Sequence, residues 1–146
     1  MSEDVHRRVM NGFAEVVRTH EWDRFGDYWQ PDCVLEFPQS GERFRGIDNV
    51  LAQFANYPSM EPGTSELQEV ISESTAYALS PSYTVIGVEG SGKRGTAVIR
   101  VRYPDGSMWY AINLYELRDN LIHHCRAFFA PDFEPPDWRA PHRESP

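Results

Sequence analysis

Ser107-Met108-Trp109-Tyr110-Ala111-Ile112-Asn113-Leu114-Tyr115-Glu116-Leu117 runs through Arg118-Asp119-Asn120 into Leu121-Ile122-His123-His124-Cys125-Arg126-Ala127-Phe128-Phe129. β-branched and aromatic residues on both sides of an Asp-Asn pair read as two antiparallel strands joined by a short turn. Both strands exceed the usual length of about five or six residues. His, Asn, Arg and Glu interleave with bulky apolar groups along them, as in the wall of a ligand pocket.

Further strands precede this hairpin. Gly95 to Tyr103 places Ala97, Ile99 and Val101 on one face and Arg100 and Arg102 on the other, and Pro104-Asp105-Gly106 turns the chain into the hairpin. Tyr83 to Glu89 and Leu67 to Leu79 read as two more strands, preceded by a loop from Pro58 to Gly63. Helical spacing dominates the first third of the chain. Val5, Val9, Phe13, Val16 and Val17 predict an amphipathic helix over residues 3–20, and residues 21–29 a second, short one. Cys33 to Phe37 is a strand stopped by Pro38, residues 39–42 a turn, and Ile47, Val50, Leu51, Phe54 and Tyr57 mark a helix ending before Pro58. Helices followed by a run of antiparallel strands define an α+β domain over residues 1–130. Residues 131–146 hold five of the eleven prolines and form an extended tail.

A length of 146 residues, 40% apolar and 13% aromatic, suffices for one core. The net charge of -8 repels phosphate backbones and anionic lipid, so nucleic acid and membrane surfaces are poor partners. No apolar run is long enough to span a bilayer, and Met1-Ser2-Glu3-Asp4 lacks the basic-then-apolar start of a signal peptide. Cys33 and Cys125 lie inside apolar runs and read as buried free thiols, so the expected location is the reducing cytoplasm. Their pairing stays open at this stage.

Two motifs mislead. Gly87-Val88-Glu89-Gly90-Ser91-Gly92-Lys93-Arg94 nearly fits a phosphate loop, but Arg94 stands where the magnesium-binding hydroxyl belongs and a strand, not a helix, follows. His123-His124 does not make a metal site, because strand neighbours point to opposite faces and no third ligand is suitably spaced. No metal and no cofactor are therefore expected. Arg100 and Arg102 read as a solvated strand face or a subunit contact.

The order of elements resembles the cone-shaped nuclear transport factor two-like fold, in which N-terminal helices pack on a strongly curved, mostly antiparallel mixed sheet. Within it the chain is most similar to SnoaL-like polyketide cyclases and ketosteroid isomerases. Residues 29–38 (WQPDCVLEFP), 45–50 (RGIDNV), the hairpin ending Arg126-Ala127-Phe128-Phe129, and the tail residues 133–139 (FEPPDWR) carry the likeness. It implies a small hydrophobic ring compound as ligand and a homodimer. The isomerases' general-base aspartate falls on Phe37 and their oxyanion tyrosine on Phe13. Their protonated aspartate falls on Asn113, which can still donate through its amide, and the cyclases' last-strand carboxylate falls on Ala127. Phenylalanine abstracts no proton, so the usual isomerase route is not expected.

With Asp119-Asn120 as a two-residue turn, Glu116 faces His123 and Tyr110 faces Phe129. Met108, Ile112, Leu114, Cys125 and Ala127 then share the apolar, core-facing side. Trp109, Tyr115 and Phe128 lie outside, suited to a dimer contact. The resemblance instead brings Asn113 and Ala127 both to the pocket, and a bulge or longer loop would reconcile the two. Glu36 is expected to face outward. The candidate catalytic residues are His123, paired with Glu116, and Asn113. The candidate binding residues are Phe13, Tyr28, Trp29, Phe37, Phe54, Tyr110, Ala127 and Phe129, with Tyr57 a further donor at the mouth. Two functions follow: a cofactor-independent cyclase, isomerase or hydratase with unusual acid-base groups, or a non-catalytic ligand-binding or dimerisation module.

Overall fold

The computed structural model of the chain describes residues 3–57 and 84–144. Helix α1 spans Glu3–Thr19, and a 3-10 turn, Trp22–Asp27, leads into strand β1, Trp29–Phe37. A short strand β2, Glu42–Arg45, pairs antiparallel with β1 and was not legible as a strand. Gly46, at φ 87°, then swings the chain into α2, Ile47–Ala55, a backbone angle that favours glycine. Strands β3 (Thr84–Ser91), β4 (Arg94–Arg102), β5 (Met108–Arg118) and β6 (Leu121–Pro131) follow. The tail contains a 3-10 turn, Asp137–His142, where an irregular segment was expected. The expected loop at 58–63 and strand at 67–79 lie outside the described residues.

Among the described residues, six strands form one sheet in the order β2-β1-β6-β5-β4-β3. Of the pairings among these described strands, β1–β6 alone is parallel. The expected α+β class with a mixed, mostly antiparallel sheet therefore stands. α1 packs its buried residues Val9, Met10, Phe13, Ala14 and Val16 on the sheet. Phe13 also joins Phe25, Trp29 and Phe54 in an aromatic cluster, with Trp29 stacked on Phe25 at 5.4 Å and 8°.

The hairpin corrects the expected faces. Asp119 (φ 52°) and Asn120 (φ 65°) make the predicted two-residue turn, and Arg118 faces Leu121. One step further the register slips. Leu117 faces Ile122, Glu116 faces His124, and His123 is the extra residue of a β-bulge. Beyond it Asn113 faces Ala127, and Tyr110 faces Ala130 rather than Phe129. Trp109, Ala111, Asn113, Tyr115 and Leu117 therefore turn inward, whereas Met108, Ile112 and Leu114 share the outer face; Leu114 is exposed.

A buried histidine pins α1 to the sheet. His6 Nε2 is 3.0 Å from the Gly92 carbonyl, which can only accept, so this nitrogen carries the proton. Nδ1 lies 3.0 Å from the Tyr115 hydroxyl and accepts from it in the neutral imidazole. Burial holds the Tyr115 hydroxyl well above the ordinary phenol range, so it remains protonated.

Arg100 is buried, contrary to the solvated role expected for it. Asp132 holds its guanidinium through two contacts of 2.5 Å, and the Tyr110 ring lies 4.3 Å from it. The hydrogen bond from Arg100 lowers the Asp132 carboxyl below its ordinary value. A lowered folded value contributes stability that is present above the unfolded value near pH 4 and is lost as pH falls through the folded one. Asp132→Asn is therefore expected to cost about 1–2 kcal/mol at neutral pH, the low side for a buried charge because Asp132 itself is half-exposed. Denaturant titrations should show the gap closing below about pH 4; a gap constant to pH 2.5 would contradict the assignment.

Candidate binding cavity

A cavity of about 490 Å³ opens between α1, α2 and the inner face of the sheet, within the range of small-molecule sites. α1 supplies Phe13 and Val17, β1 supplies Phe37, and α2 supplies Gln53 and Phe54. β5 and β6 supply Trp109, Ala111, Asn113, Ala127 and Phe129. The four positions matched to family chemistry, Phe13, Phe37, Asn113 and Ala127, thus share one lining. Three of them are apolar.

Asn113 is the polar group of this set. Its amide nitrogen makes two long contacts, 3.3 Å to the Ala97 carbonyl and 3.4 Å to the Ala111 carbonyl. Its oxygen accepts from the Cys125 thiol at 3.6 Å. Bonds this long are weak, so the amide N–H groups can turn to a ligand carbonyl at small cost. Burial pushes Cys33 up to about 11 and Cys125 up to about 12, so both remain thiols rather than nucleophilic thiolates. Both are free.

Other candidates lie elsewhere. His123 and Glu116 do not face each other. His123 sits at the hairpin end, its Nε2 3.2 Å from Arg118 Nη1, where Arg118 also binds Asp32. Glu116 lies opposite His124 on the outer face. His124 in turn bonds Glu36 at 2.6 Å, and this hydrogen bond lowers the Glu36 carboxyl. Tyr28 packs against Gly12 and accepts from Arg24 at 3.1 Å, outside the cavity lining. Trp29 is 1% exposed and belongs to the aromatic cluster behind Phe13. Tyr110 stacks with Arg100 on the outer face. The bulge thus removes the Glu116–His123 couple, while Asn113, opposite Ala127, lines the cavity.

The cavity mouth holds Tyr57 and, beside it, groups that sequence patterns did not single out. His20 adopts a left-handed backbone (φ 58°) just past α1 and stacks on Trp22 at 5.0 Å. Tyr57, read as a mouth donor, stacks on Tyr103 at 5.1 Å, and Tyr103 meets Trp109 edge-to-face at 5.8 Å. Burial, and then the neighbouring Tyr57, push the Tyr103 hydroxyl up to about 12, which keeps it a neutral donor. Asp105 completes the rim. The Pro-Asp-Gly turn was visible in the sequence; that its tip reaches the mouth depends on packing. Among the described residues, no three His, Cys, Asp or Glu side chains are grouped to hold a metal ion. No described helix is long and apolar enough to cross a membrane.

The model of the SnoaL-like domain matches residues 10–124 of the chain. No curated protein sequence matches it. Among solved structures, an NTF-2-like protein of unknown function from Burkholderia xenovorans LB400 superposes with a TM-score of 0.75 at 22% identity, covering 98% of this chain and 96% of that one. A candidate ketosteroid isomerase from Kribbella flavida is similar at a TM-score of 0.71 and 18% identity, over 97% and 90% of the two chains. An LEH-like epoxide hydrolase from M. tuberculosis gives 0.57 and 12%, over 86% and 83%. At such identities these likenesses speak for the fold.

Proposed function

We propose, from the premise that this chain belongs to the SnoaL-like domain family, that it binds a small hydrophobic ring molecule in its aromatic cavity. The observation that carries the reading is the lining itself: Phe13, Phe37, Phe54 and Phe129 walls with one loosely bonded amide, Asn113, among them. Flat rings fit aromatic walls, and the amide fits a carbonyl or hydroxyl on the ring. Tryptophan-fluorescence titration with a cyclic enone and its carbonyl-free analogue tests it. The enone is expected to bind about tenfold more tightly, one net hydrogen bond, and Asn113→Ala should erase that preference while leaving the hydrocarbon's affinity unchanged. No saturable binding of either ring would end the proposal.

A catalytic version, without cofactor, keeps Asn113 as the polarising donor and draws on His20 as the imidazole of the lining. It predicts turnover sensitive to both Asn113→Ala and His20→Ala. Binding without turnover across a panel of enones and epoxides favours the non-catalytic module.

A second copy of the chain is the proposed partner of the outer sheet face. The interface assigns differently from the sequence expectation, since Trp109 and Tyr115 turn inward. Ile112, Leu114 and Phe128 form its apolar centre, beside a cross-strand row of polar side chains, Arg94, Glu116 and His124 with Glu36. Light scattering at micromolar concentration should give a dimer that Leu114→Lys dissociates; a monomeric native protein would overturn this.

A further inference from the structure

The family-matched positions say nothing about charge at the cavity mouth. There the described lining contains one carboxylate, Asp105, and neither lysine nor arginine. Its Oδ1 accepts two hydrogen bonds from Ser107, from the backbone N–H at 2.8 Å and the hydroxyl at 2.5 Å. Both fall on the same oxygen, which leaves Oδ2 as an acceptor for a ligand. The Ser107 hydroxyl also accepts from the Trp109 indole N–H at 2.9 Å. One short chain of hydrogen bonds, Trp109 to Ser107 to Asp105, thus locks an aromatic plane and a carboxylate into a single frame.

The rings beside that frame form a corner. Tyr103 and Trp109 stand at 85° with centroids 5.8 Å apart, and Tyr57 backs Tyr103 in a near-parallel stack. Aromatic faces carry negative potential and attract cations, most strongly where solvent is partly excluded. The Asp105 charge reaches this corner, since it contributes to holding the Tyr57 hydroxyl above its ordinary value, behind burial. An anionic ligand would meet the ring faces and the carboxylate together, with no lysine or arginine of the described lining to offset them.

We propose that the ring molecule bound in this cavity carries an organic cation, an alkylated or protonated amine. The cation sits in the Tyr103–Trp109 corner against Asp105 Oδ2, while the ring extends toward Asn113. This rests on the binding role inferred above and adds the ligand's charge to it.

Phenyltrimethylammonium and its neutral isostere tert-butylbenzene make the test, titrated calorimetrically at about pH 8 and low salt, where surface charges are least screened. The cation is expected to bind roughly tenfold or more tightly than the neutral probe. Asp105→Asn should remove most of that preference, and Trp109→Leu should reduce it further, with the neutral probe's affinity little changed by Asp105→Asn. Raising the salt concentration should weaken the cation and not the isostere. Equal or tighter binding of tert-butylbenzene to the native protein overturns the charge assignment and leaves the hydrophobic cavity reading intact. A cation preference that survives in Asp105→Asn also overturns it. Binding of neither probe defeats both.

Discussion

Gly95→Ala is expected to lower stability by about 4 kcal/mol, and the melting temperature of a chain this size by on the order of 10 °C. A β-carbon at Gly95 would lie 2.3 Å from the Tyr115 hydroxyl oxygen, 2.4 Å from Cζ and 2.8 Å from His6 Nδ1. Tyr115 is 3% exposed and His6 0%, so neither has solvent to retreat into. Separating them adds two unsatisfied buried polar groups to the overpacking cost. Gly12→Ala is the control. Its β-carbon would approach Tyr28 to 2.2 Å, a formally worse clash. Tyr28 is only half-buried and can swing aside by giving up its Arg24 contact, while alanine gains about 1 kcal/mol of helix propensity at this position. Thermal melts should therefore show a large loss for Gly95→Ala and a small one for Gly12→Ala. Similar losses would mean the His6–Tyr115 contact yields easily, contrary to its burial.

Ala127→Phe should abolish ligand binding, by a hundredfold or more, without unfolding the protein. Ala127 is buried, faces Asn113 across the hairpin and lines the cavity, so a benzyl group there projects into ligand space beside the Asn113 amide. The added ring finds other aromatic walls rather than closed packing, so the overpacking cost should stay near the low end of about 1–3 kcal/mol. Ala127→Leu should give an intermediate affinity. Calorimetric titration against the enone checks the series. Binding within threefold of native in Ala127→Phe would show that the ligand occupies some other place.

Local chemistry made much of the fold legible. Helical spacing found α1 and α2, and the Asp-Asn pair found the β5–β6 turn, because both signals reside in adjacent residues. β2 escaped because Glu42, Arg43 and Arg45 carry no apolar alternation; a short, charged edge strand is defined by its partner β1. The cavity positions Phe13, Phe37, Asn113 and Ala127 were reachable through the family likeness, and Phe54 and Phe129 through the apolar patterns of α2 and the hairpin. His123, Glu116 and Tyr110 were misplaced together, by one cause: face assignment alternates, so a single unrecognised extra residue inverts every side chain beyond it. Asp105, Tyr103 and His20 carried no sign of a site, because what unites them is proximity between the end of α1 and the β4–β5 turn.

That extra residue, His123, gives the hairpin a parity. Paired residue for residue, with no bulge, the same letters would set Ile112 and Leu114 beside Ala127 and Cys125, and Asn113 and Tyr115 on the opposite face. The chemical character of the cavity thus depends on where the register slips as well as on the choice of residues. Losing His123 itself would keep every pair beyond it, Glu116 with His124 and Asn113 with Ala127, so the bulge is a spare residue that natural variation can remove while the amide stays in the chamber.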